Sequence, residues 1–560
     1  MQHRPWFLVF QACDVRHIET CPPSRQKCNA DPKIGHAVAQ LTGSLVTNLA
    51  PYGPRLGQVI TNRRISRQQV RTLLFALTVS LSVLVAMTVV PPGKAIPAFS
   101  RKYQTSCTTC HNLYPELNDF GWAFKKNGFK FPKDDDTFVK QEPVMLGSKA
   151  QKEAFPEAVY PGEIPGTIPI AFRYEGNFTW NAYQPQPVQA TSYLARTDLF
   201  VPNTFTIIAA GSFGENLSFW IDDDISAGGT GAGGGLGDGW LKYNDLGRFF
   251  HLPKNSLNVR YGQFEMDLPF TNARTPYLSG YDVFGQPALA QGPPCSGTVV
   301  TVCGTTKNPF VLGTPQRGIE FGGYPNNGNF NWSFAVVDGT NSAYGLGPAL
   351  TARNSKDIYA NVFYQFNLER DPESRHAVQA AGATGPQDHN SIRVGGFYYH
   401  GTNQQNFGGS LYPFTGTIND PFYRAGGYVR YRYHNKLEIY GVGMHGRDDN
   451  HTVDTVAGTV TNGTAVTFTG GFVAVNYWIF PWLIPTIRYD FVNSPSDFVN
   501  GVSESRTRND FRPGYQILVR ANIKIVGEYT RHWGVPYTDA AGNVLNYRPN
   551  TFVTGIDYVF

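Results

Sequence analysis

The sequence predicts a mainly β protein, a 16-stranded antiparallel transmembrane β-barrel that follows a small helical segment near the N-terminus. Aromatic residues make up 14% of the 560 residues, and charged residues only 16%. Few segments have helical periodicity, and from residue 168 onward apolar and polar residues alternate with a period of two. Alternation of this kind over about ten residues is the sequence pattern of membrane barrel strands.

The alternation is clearest in three candidate strands. Along Phe172–Trp180, aromatic residues and glycine alternate with arginine, glutamate, asparagine and threonine. Along Val429–His434, valine and tyrosine alternate with arginine and histidine, and along Tyr515–Arg520 only Leu518 interrupts the pattern. A soluble β-sandwich also alternates, but it rarely places so many aromatic residues beside turns with charges on the opposite face.

Sixteen candidate strands can be counted, and an even number is typical of bacterial single-chain barrels. Their connections alternate in length, so we expect the short ones in the periplasm and the 226–236 and 266–315 loops outside. The long polar connection 368–390 is an exception on the periplasmic side. The candidate strands are 168–178, 203–213, 217–225, 237–245, 256–265, 316–324, 329–338, 355–367, 391–401, 421–433, 436–446, 465–478, 483–493, 513–521, 523–533 and 548–560.

The polar faces of these strands predict a wide lumen with charges of both signs. The last strand ends in Phe560. A terminal aromatic residue resembles the signal by which outer-membrane proteins are recognised for assembly, although a strand can also end in phenylalanine by chance. We therefore expect the bacterial outer membrane, with its lipid as a partner. The predicted inward-facing charges are Arg173, Glu175, Asp222, Arg430, Arg432, Glu438, Arg488, Asp490, Lys524 and Glu528.

The chain divides into four parts, beginning with an unexplained N-terminal extension over 1–60. Residues 61–95 read as a signal peptide, because four arginines precede the apolar run Leu73–Val90 and small residues stand at Gly93 and Ala95. An uncleaved membrane anchor is the alternative. Residues 96–165 form a candidate monohaem cytochrome c segment, and 166–560 form the outer-membrane barrel.

One Cys-x-x-Cys-His motif, Cys107 to His111, carries the chemistry. This spacing is that of a c-type haem attachment site, in which two thiols bond the haem covalently and the histidine is the proximal iron ligand. A redox disulfide or half of a zinc site would also use Cys-x-x-Cys. No second ligand pair with zinc spacing lies nearby, and no βαβ context surrounds the motif. The cofactor that we expect is one covalently bound haem c.

The sixth iron ligand is open in the sequence. Met145 is the only methionine of the haem segment and is a candidate, although it could equally be a packing residue. A barrel histidine such as His251 or His400, or an open position, are the alternatives. After the motif, Asn118 or Asp119 can cap a short helix through Lys126. So small a segment cannot bury a haem unaided, so we expect it to lean on or plug the barrel.

The stretch from Ile96 to Pro132 contains Ala98-Phe-Ser-Arg-Lys-Tyr, the haem motif, and Pro115-x-Leu-Asn-x-Phe-Gly-x-x-Phe-Lys-x-Asn-Gly. It resembles the start of the fused outer-membrane cytochrome–porins, which join one c-type haem segment to an outer-membrane barrel. The resemblance implies thioether bonds at Cys107 and Cys110 and proximal ligation by His111. It also implies oxidation of extracellular ferrous iron, but the barrel matches the family only in architecture.

These features predict single-electron transfer across the outer membrane, from an extracellular reductant such as Fe(II) to a soluble periplasmic cytochrome or another acceptor. The alternative is a solute porin whose haem-bearing segment is a plug or sensor. A haem enzyme is less favoured, because no distal acid–base group is visible. The net charge of +5 without a basic stripe gives no sign of nucleic-acid binding. Cys295 and Cys303 could close a loop disulfide in an oxidising compartment.

Overall fold

The computed structural model describes one compact unit within Ala95–Phe560. The predicted extension and signal peptide lie outside the described residues, and no helix within these is long and apolar enough to cross a membrane. The described residues are 98–131, 135–140, 144–145, 149–156, 163–166, 168–182, 197–226, 236–268, 270, 275–285, 302–305, 310–325, 329–339, 356–368, 390–407, 416–434, 436–456, 459–493, 497–499, 502–504, 508–533, 537–538, 544–545 and 550–560.

Sixteen antiparallel strands form a closed barrel, because the last strand pairs with the first and the fifth with the sixth. The prediction of sixteen strands is confirmed. The strands are β1 Ile170–Asn181, β2 Thr197–Phe213, β3 Leu217–Ser226, β4 Leu236–Tyr243, β5 Asn258–Phe264, β6 Gln316–Gly323, β7 Phe330–Val337, β8 Asp357–Asn367, β9 Ser391–Phe407, β10 Gly416–Tyr433, β11 Leu437–Val456, β12 Thr459–Tyr477, β13 Leu483–Asn493, β14 Arg508–Arg520, β15 Ile523–His532 and β16 Thr551–Val559.

Several strands are longer than the sequence predicts. The β11–β12 hairpin spans Leu437–Val456 and Thr459–Tyr477, whereas the expected ranges were 436–446 and 465–478. A membrane needs only about 9–11 tilted residues per strand. The additional residues therefore extend the sheet beyond the bilayer at the end with the long connections. At that end Val302–Thr305 pairs with the outer part of β11.

The remaining short elements lie outside the ring of sixteen strands. Two helices, α1 Ala98–Tyr103 and α2 Asp119–Lys126, belong to the predicted haem segment. The others are the helices Asp135–Phe138, Lys149–Ala154 and Asp282–Gly285, the 3-10 turns Cys107–Thr109 and Leu246–Phe250, and the strand pairs His111–Leu113 with Glu116–Leu117, Val144–Met145 with Glu163–Ile164, Asp497–Val499 with Val502–Glu504 and Tyr537–Thr538 with Val544–Leu545.

The barrel wall is apolar outside and polar inside. Arg488, Glu438 and Gln516 are fully buried on the lumen side. An apolar wall around a polar interior is the arrangement of a transmembrane barrel. Most of the predicted inward-facing charges are buried there as expected, and Arg173 bonds Asp557 across the β1–β16 seam. Large apolar side chains exposed on the outer wall include Leu241, Tyr261, Ile319, Val362, Val429, Val473 and Ile487.

Candidate haem site

The two cysteines lie on one tight turn. Ser106 caps the 3-10 turn Cys107–Thr109, and the Cys110 amide donates to the Cys107 carbonyl at 3.2 Å. Both thiols are free of disulfide bonds. The turn therefore presents two thiols at the spacing that a covalent haem requires.

His111 is held in the orientation of a metal ligand. Its Nδ1 lies 3.2 Å from both the Pro115 and the Glu116 carbonyl oxygens. When Nδ1 donates to a backbone carbonyl, Nε2 is the unprotonated nitrogen and can bind a metal. Burial lowers the pKa of His111 to about 4, so the ring is neutral at neutral pH, as iron ligation requires.

Asn118 ties the attachment turn to the helix that follows. Its side-chain oxygen accepts from the Gly121 amide at 2.8 Å and caps α2, while its amide nitrogen donates to the Thr109 carbonyl at 3.0 Å. The Asn118 backbone amide also donates to the Cys110 carbonyl at 2.9 Å. The predicted cap and helix are present, and one buried side chain fixes the geometry of turn and helix together.

The alternatives to haem lose support at this site. Burial raises the pKa of the Cys110 thiol to about 12, whereas redox and zinc-binding cysteines need an accessible thiolate. Among the described residues, no group of three or more histidine, cysteine or acidic side chains could hold a metal ion. The two thiols and His111 are the groups that a c-type haem requires, and the described residues bring no further metal-binding side chain to them.

Phe120 and Phe124 form a local aromatic core. Phe131 stacks on Tyr103 with ring centroids 4.1 Å apart, and Phe120 meets Phe131 edge to face at 5.1 Å. Phe124 packs against Phe99 and Tyr103. Both rings therefore pack within the segment.

Helix α2 is anchored in the lumen through Asp119. Its carboxylate lies 2.6 Å from the Arg430 guanidinium, 3.0 Å from that of Arg393 and 3.7 Å from that of Arg432. Gln365 donates to the other carboxylate oxygen at 2.7 Å. These four partners lie on β8, β9 and β10. We name Asp119 with its three arginines the arginine clamp.

The C-terminal end of α2 is held by the opposite group of strands. Lys242 of β4 donates to the Lys126 carbonyl at 2.7 Å, and Asn255 donates to the Asn127 side chain at 2.8 Å. A cation at the last carbonyls of a helix stabilises it. Lys524 of β15 donates to the Tyr114 carbonyl on a third side. The segment therefore plugs the barrel, as its small size predicts.

The segment lies at the end of the barrel with the short turns. Arg101 donates to the Ile170 carbonyl at 2.5 Å, where β1 begins, and Lys130 donates to Glu215 in the turn between β2 and β3. Short turns lie in the periplasm in outer-membrane barrels. The candidate haem site is thus nearer to the periplasm than to the outer surface.

A second layer crosses the lumen above the segment. We name it the inward loop; it comprises the described residues 265–268, 270 and 275–285, after β5. Asn361 of β8 donates to the Asp267 carbonyl at 2.7 Å, and Gln516 of β14 donates to the Pro276 carbonyl at 2.8 Å. The loop therefore crosses the lumen between strands six positions apart in the ring.

An ion pair joins the two layers. Lys126 of α2 lies 2.5 Å from the Asp267 carboxylate, and both side chains are largely buried. Aromatic stacking holds the rest of the loop, with Tyr281 against Phe472 at 4.1 Å and Phe270 against Tyr440 at 4.4 Å. Neither layer can leave the lumen without breaking buried contacts.

The structure changes the choice of sixth ligand. Met145 is placed only by its backbone, which pairs with Glu163, so its predicted role stays a prediction. The two histidine alternatives are wrong, because His400 lies on the outer wall and His251 is exposed on a turn between β4 and β5. Strand alternation places His400 on the face opposite Arg393, away from the lumen.

Several functional contacts were missed at the sequence level. The arginine clamp and the Lys126–Asp267 pair join residues more than 100 positions apart. The inward loop crosses a lumen that exists only once the barrel is closed. The local signals were the charged residues at the two ends of α2, Asp119 at its start and Lys125 and Lys126 in its last turn. The predicted Cys295–Cys303 disulfide lies outside the described side chains.

Solved outer-membrane porins share features of this fold. OmpF of Salmonella typhi in complex with daunomycin is 13% identical, with TM-score 0.42, over 70% of this chain and 97% of that one. The channel DcaP of Acinetobacter baumannii is 10% identical, with TM-score 0.39, over 70% and 96%. OmpT of Vibrio cholerae is 11% identical, with TM-score 0.37, over 74% and 100%. No family model and no curated protein matches the chain. At these scores the likeness carries no functional argument, and the barrel assignment rests on the strand pairing.

Proposed function

We propose that this protein is an outer-membrane c-type cytochrome that carries single electrons across the outer membrane through a haem held in its barrel. The observation that carries the proposal is His111, whose Nδ1 is bonded to backbone carbonyls directly after two cysteines of one turn. When bound, haem c supplies a one-electron iron couple. Cys107 and Cys110 would form the thioether bonds, and His111 would be the proximal ligand.

The barrel supplies the surrounding protein that a segment too small to bury a haem by itself needs. Buried side chains from β4, β8, β9, β10 and β15 hold the segment in the lumen, and both cysteines of the attachment turn are partly buried there. Asp119 and Lys126 fix the segment through buried ion pairs. A fixed site keeps the surroundings of a redox centre constant, and this limits the reorganisation that accompanies electron transfer.

The outer membrane is the compartment that we propose. Support comes from the apolar wall of a closed barrel, the predicted signal peptide and the terminal Phe560. Because the segment contacts the short-turn end, a soluble periplasmic cytochrome is the acceptor that fits. The extracellular reductant is Fe(II) by resemblance to the fused cytochrome–porins, and in that case the protein acts as an Fe(II) oxidase.

The proposal also requires a route for the electron from the outer surface to the haem segment. An apolar barrel band is about 25 Å tall, too far for one direct electron transfer step to a haem at the periplasmic mouth. The inward loop starts at the outer end of β5 and reaches Lys126 through Asp267. This loop links the outer end of β5 to the haem segment through one buried ion pair.

A solute porin with a haem-bearing plug or sensor is the second candidate, and the closed barrel of sixteen strands favours it. A barrel of that size conducts solutes unless its lumen is filled. Here two ion-paired layers fill it, so a porin would have to displace both. Single-channel conductance separates the two candidates: a large resting conductance supports the porin.

The decisive experiment uses the haem-loaded protein in sealed vesicles with Fe(II) on the outer side only. We expect haem reduction in stopped flow, and we expect none in the variant Cys107→Ser/Cys110→Ser, which lacks covalent haem. If the haem of the wild-type protein stays oxidised with Fe(II) but is reduced by a small dithionite-type donor, the iron assignment is wrong. If no haem is attached at all, the proposal fails.

A further inference from the structure

The connection between β4 and β5 is unusual for the short-turn end. The two adjacent turns there cover 214–216 and 324–329, whereas this one covers 244–257, and at this end only the connection 368–390 is longer. It contains the 3-10 turn Leu246–Phe250 and exposes three large apolar side chains. Phe249 is 60% exposed, Phe250 64% and Leu252 46%. Such a cluster is costly in water and indicates a contact surface.

This connection continues the outer wall rather than facing the lumen. Tyr243 lies on the wall side of β4, because its neighbour Lys242 is buried in the lumen. The Phe249 ring lies 6.3 Å from the Tyr243 ring, and Arg248 donates to the Tyr243 hydroxyl at 3.1 Å. The exposed aromatic residues therefore extend the lipid-facing wall, which exposes Leu241 just above them.

The charges around the apolar tip are basic. Arg248 and Lys254 are exposed on either side of it, and the Arg248 guanidinium lies 5.0 Å from the Phe249 ring. The nearest acidic residue, Asp245, faces the base of the connection and accepts from the Asn255 amide at 2.8 Å. Aromatic residues flanked by cations suit the boundary between acyl chains and phosphate headgroups.

The base of the connection is rigid and touches the haem segment. The Asn258 side chain accepts from the Asp245 amide at 2.7 Å, and the Leu252 amide donates to the Gly247 carbonyl at 3.1 Å. Asn255 is bonded to Asn127 at the end of α2. A preformed loop loses little conformational entropy when its tip is buried.

We propose that residues 246–254 form a membrane foot: Phe249, Phe250 and Leu252 insert into the periplasmic leaflet, and Arg248 and Lys254 bind the phosphates of anionic glycerophospholipids in preference to those of zwitterionic ones. The foot anchors the barrel at the level of the haem segment. This proposal requires the membrane placement of the barrel but not the haem.

Photo-crosslinking tests the foot in the purified full-length protein. The photoreactive residue p-benzoylphenylalanine replaces Phe250, in vesicles of phosphatidylethanolamine and phosphatidylglycerol, and lipid adducts are measured by mass. Replacement of Leu241 on the wall is the lipid-facing reference, and replacement of Glu215 in an exposed turn at the same end is the aqueous one. Heat-modifiable migration in gels verifies that each variant is folded.

We expect lipid adducts at position 250 comparable to those at 241 and at least about fivefold above those at 215. Adducts at 241 but only background at 250 would overturn the foot alone. Background at both positions would overturn the membrane placement itself. With Arg248→Gln/Lys254→Gln, the ratio of phosphatidylglycerol to phosphatidylethanolamine adducts should fall by about fivefold per charge removed. An unchanged ratio would overturn phosphate binding by these two cations.

Discussion

Replacement of Asp119 by asparagine should release the haem segment from the lumen while the barrel stays folded. The Asp119 carboxylate is the acidic centre of the arginine clamp, within 2.6 to 3.7 Å of three guanidinium groups. Asparagine keeps the size and the helix but removes the charge. Arg432 retains Glu438 at 2.7 Å, whereas Arg393 and Arg430 lose their closest carboxylate.

The expected magnitude follows from the burial of the clamp. Removal of one partner of a buried ion pair costs about 3–5 kcal/mol, because the other charge stays buried without compensation. This cost falls on the docked state alone, since water solvates the arginines once the segment leaves. At about 1.4 kcal/mol per tenfold change, the undocked fraction should rise by about 100- to 3,000-fold.

Single-channel recording in planar bilayers measures that fraction as steps of increased conductance, because the lumen widens when the segment leaves and Lys126 no longer holds Asp267 of the inward loop. The control is Asp449→Asn, which removes an ion pair of similar length, 2.6 Å to Arg447, that is about half exposed. An exposed pair is worth about 0–1 kcal/mol, so the control should behave like wild type. Equal opening frequencies in the two variants would refute the clamp. In a double-mutant cycle with Arg393→Gln, the two effects should be less than additive if the pair is direct.

Three other predictions concern the haem segment. Cys107→Ser/Cys110→Ser should abolish haem staining after denaturing electrophoresis, because the covalent bonds to haem are lost. His111→Ala should keep the stain but lose low-spin absorption, because the proximal iron ligand is lost. Loss of the stain in His111→Ala would contradict this division of roles. Met145→Ala should convert the haem to a five-coordinate, high-spin spectrum if methionine is the sixth ligand, and an unchanged spectrum would exclude it. Asn118→Ala should destabilise the segment by about 1–2 kcal/mol in thermal haem-band melting, because a helix cap and a buried bond are lost; an unaltered midpoint would contradict the tie between turn and helix.

The strands could be predicted because their signal is local. Each barrel strand faces lipid and lumen alternately, so a period of two is present in the sequence of Val429–Tyr433 without knowledge of its neighbours. The cap at Asn118 is local as well, since a side-chain oxygen three residues before Gly121 is a known helix start. The Cys-x-x-Cys-His motif is local too, with two thiols and one imidazole inside five residues.

The contacts that hold the segment could not be predicted in this way. Asp119 on α2 and Arg430 on β10 are separated by more than 300 residues. They meet in a lumen that exists only because β1 pairs with β16 and closes the barrel. The inward loop lies within a connection expected outside the barrel, and nothing in its composition separates a loop that folds inward from one that projects outward. The exclusion of His400 was available, because it stands seven positions from the inward-facing Arg393 and an odd separation changes the face.

The haem segment and the inward loop bear directly on whether the protein conducts electrons or solutes. A solute needs a continuous aqueous path, and buried contacts such as the Lys126–Asp267 ion pair occupy the lumen where that path would run. An electron needs no opening, and it benefits when packed protein replaces water between donor and haem, because close contacts shorten the gaps. Since Lys126 is on the segment and Asp267 on the loop, displacement of one layer weakens the other. A lumen closed in this coupled manner suits a conductor of electrons, and it would serve a porin only if a single trigger released both layers together.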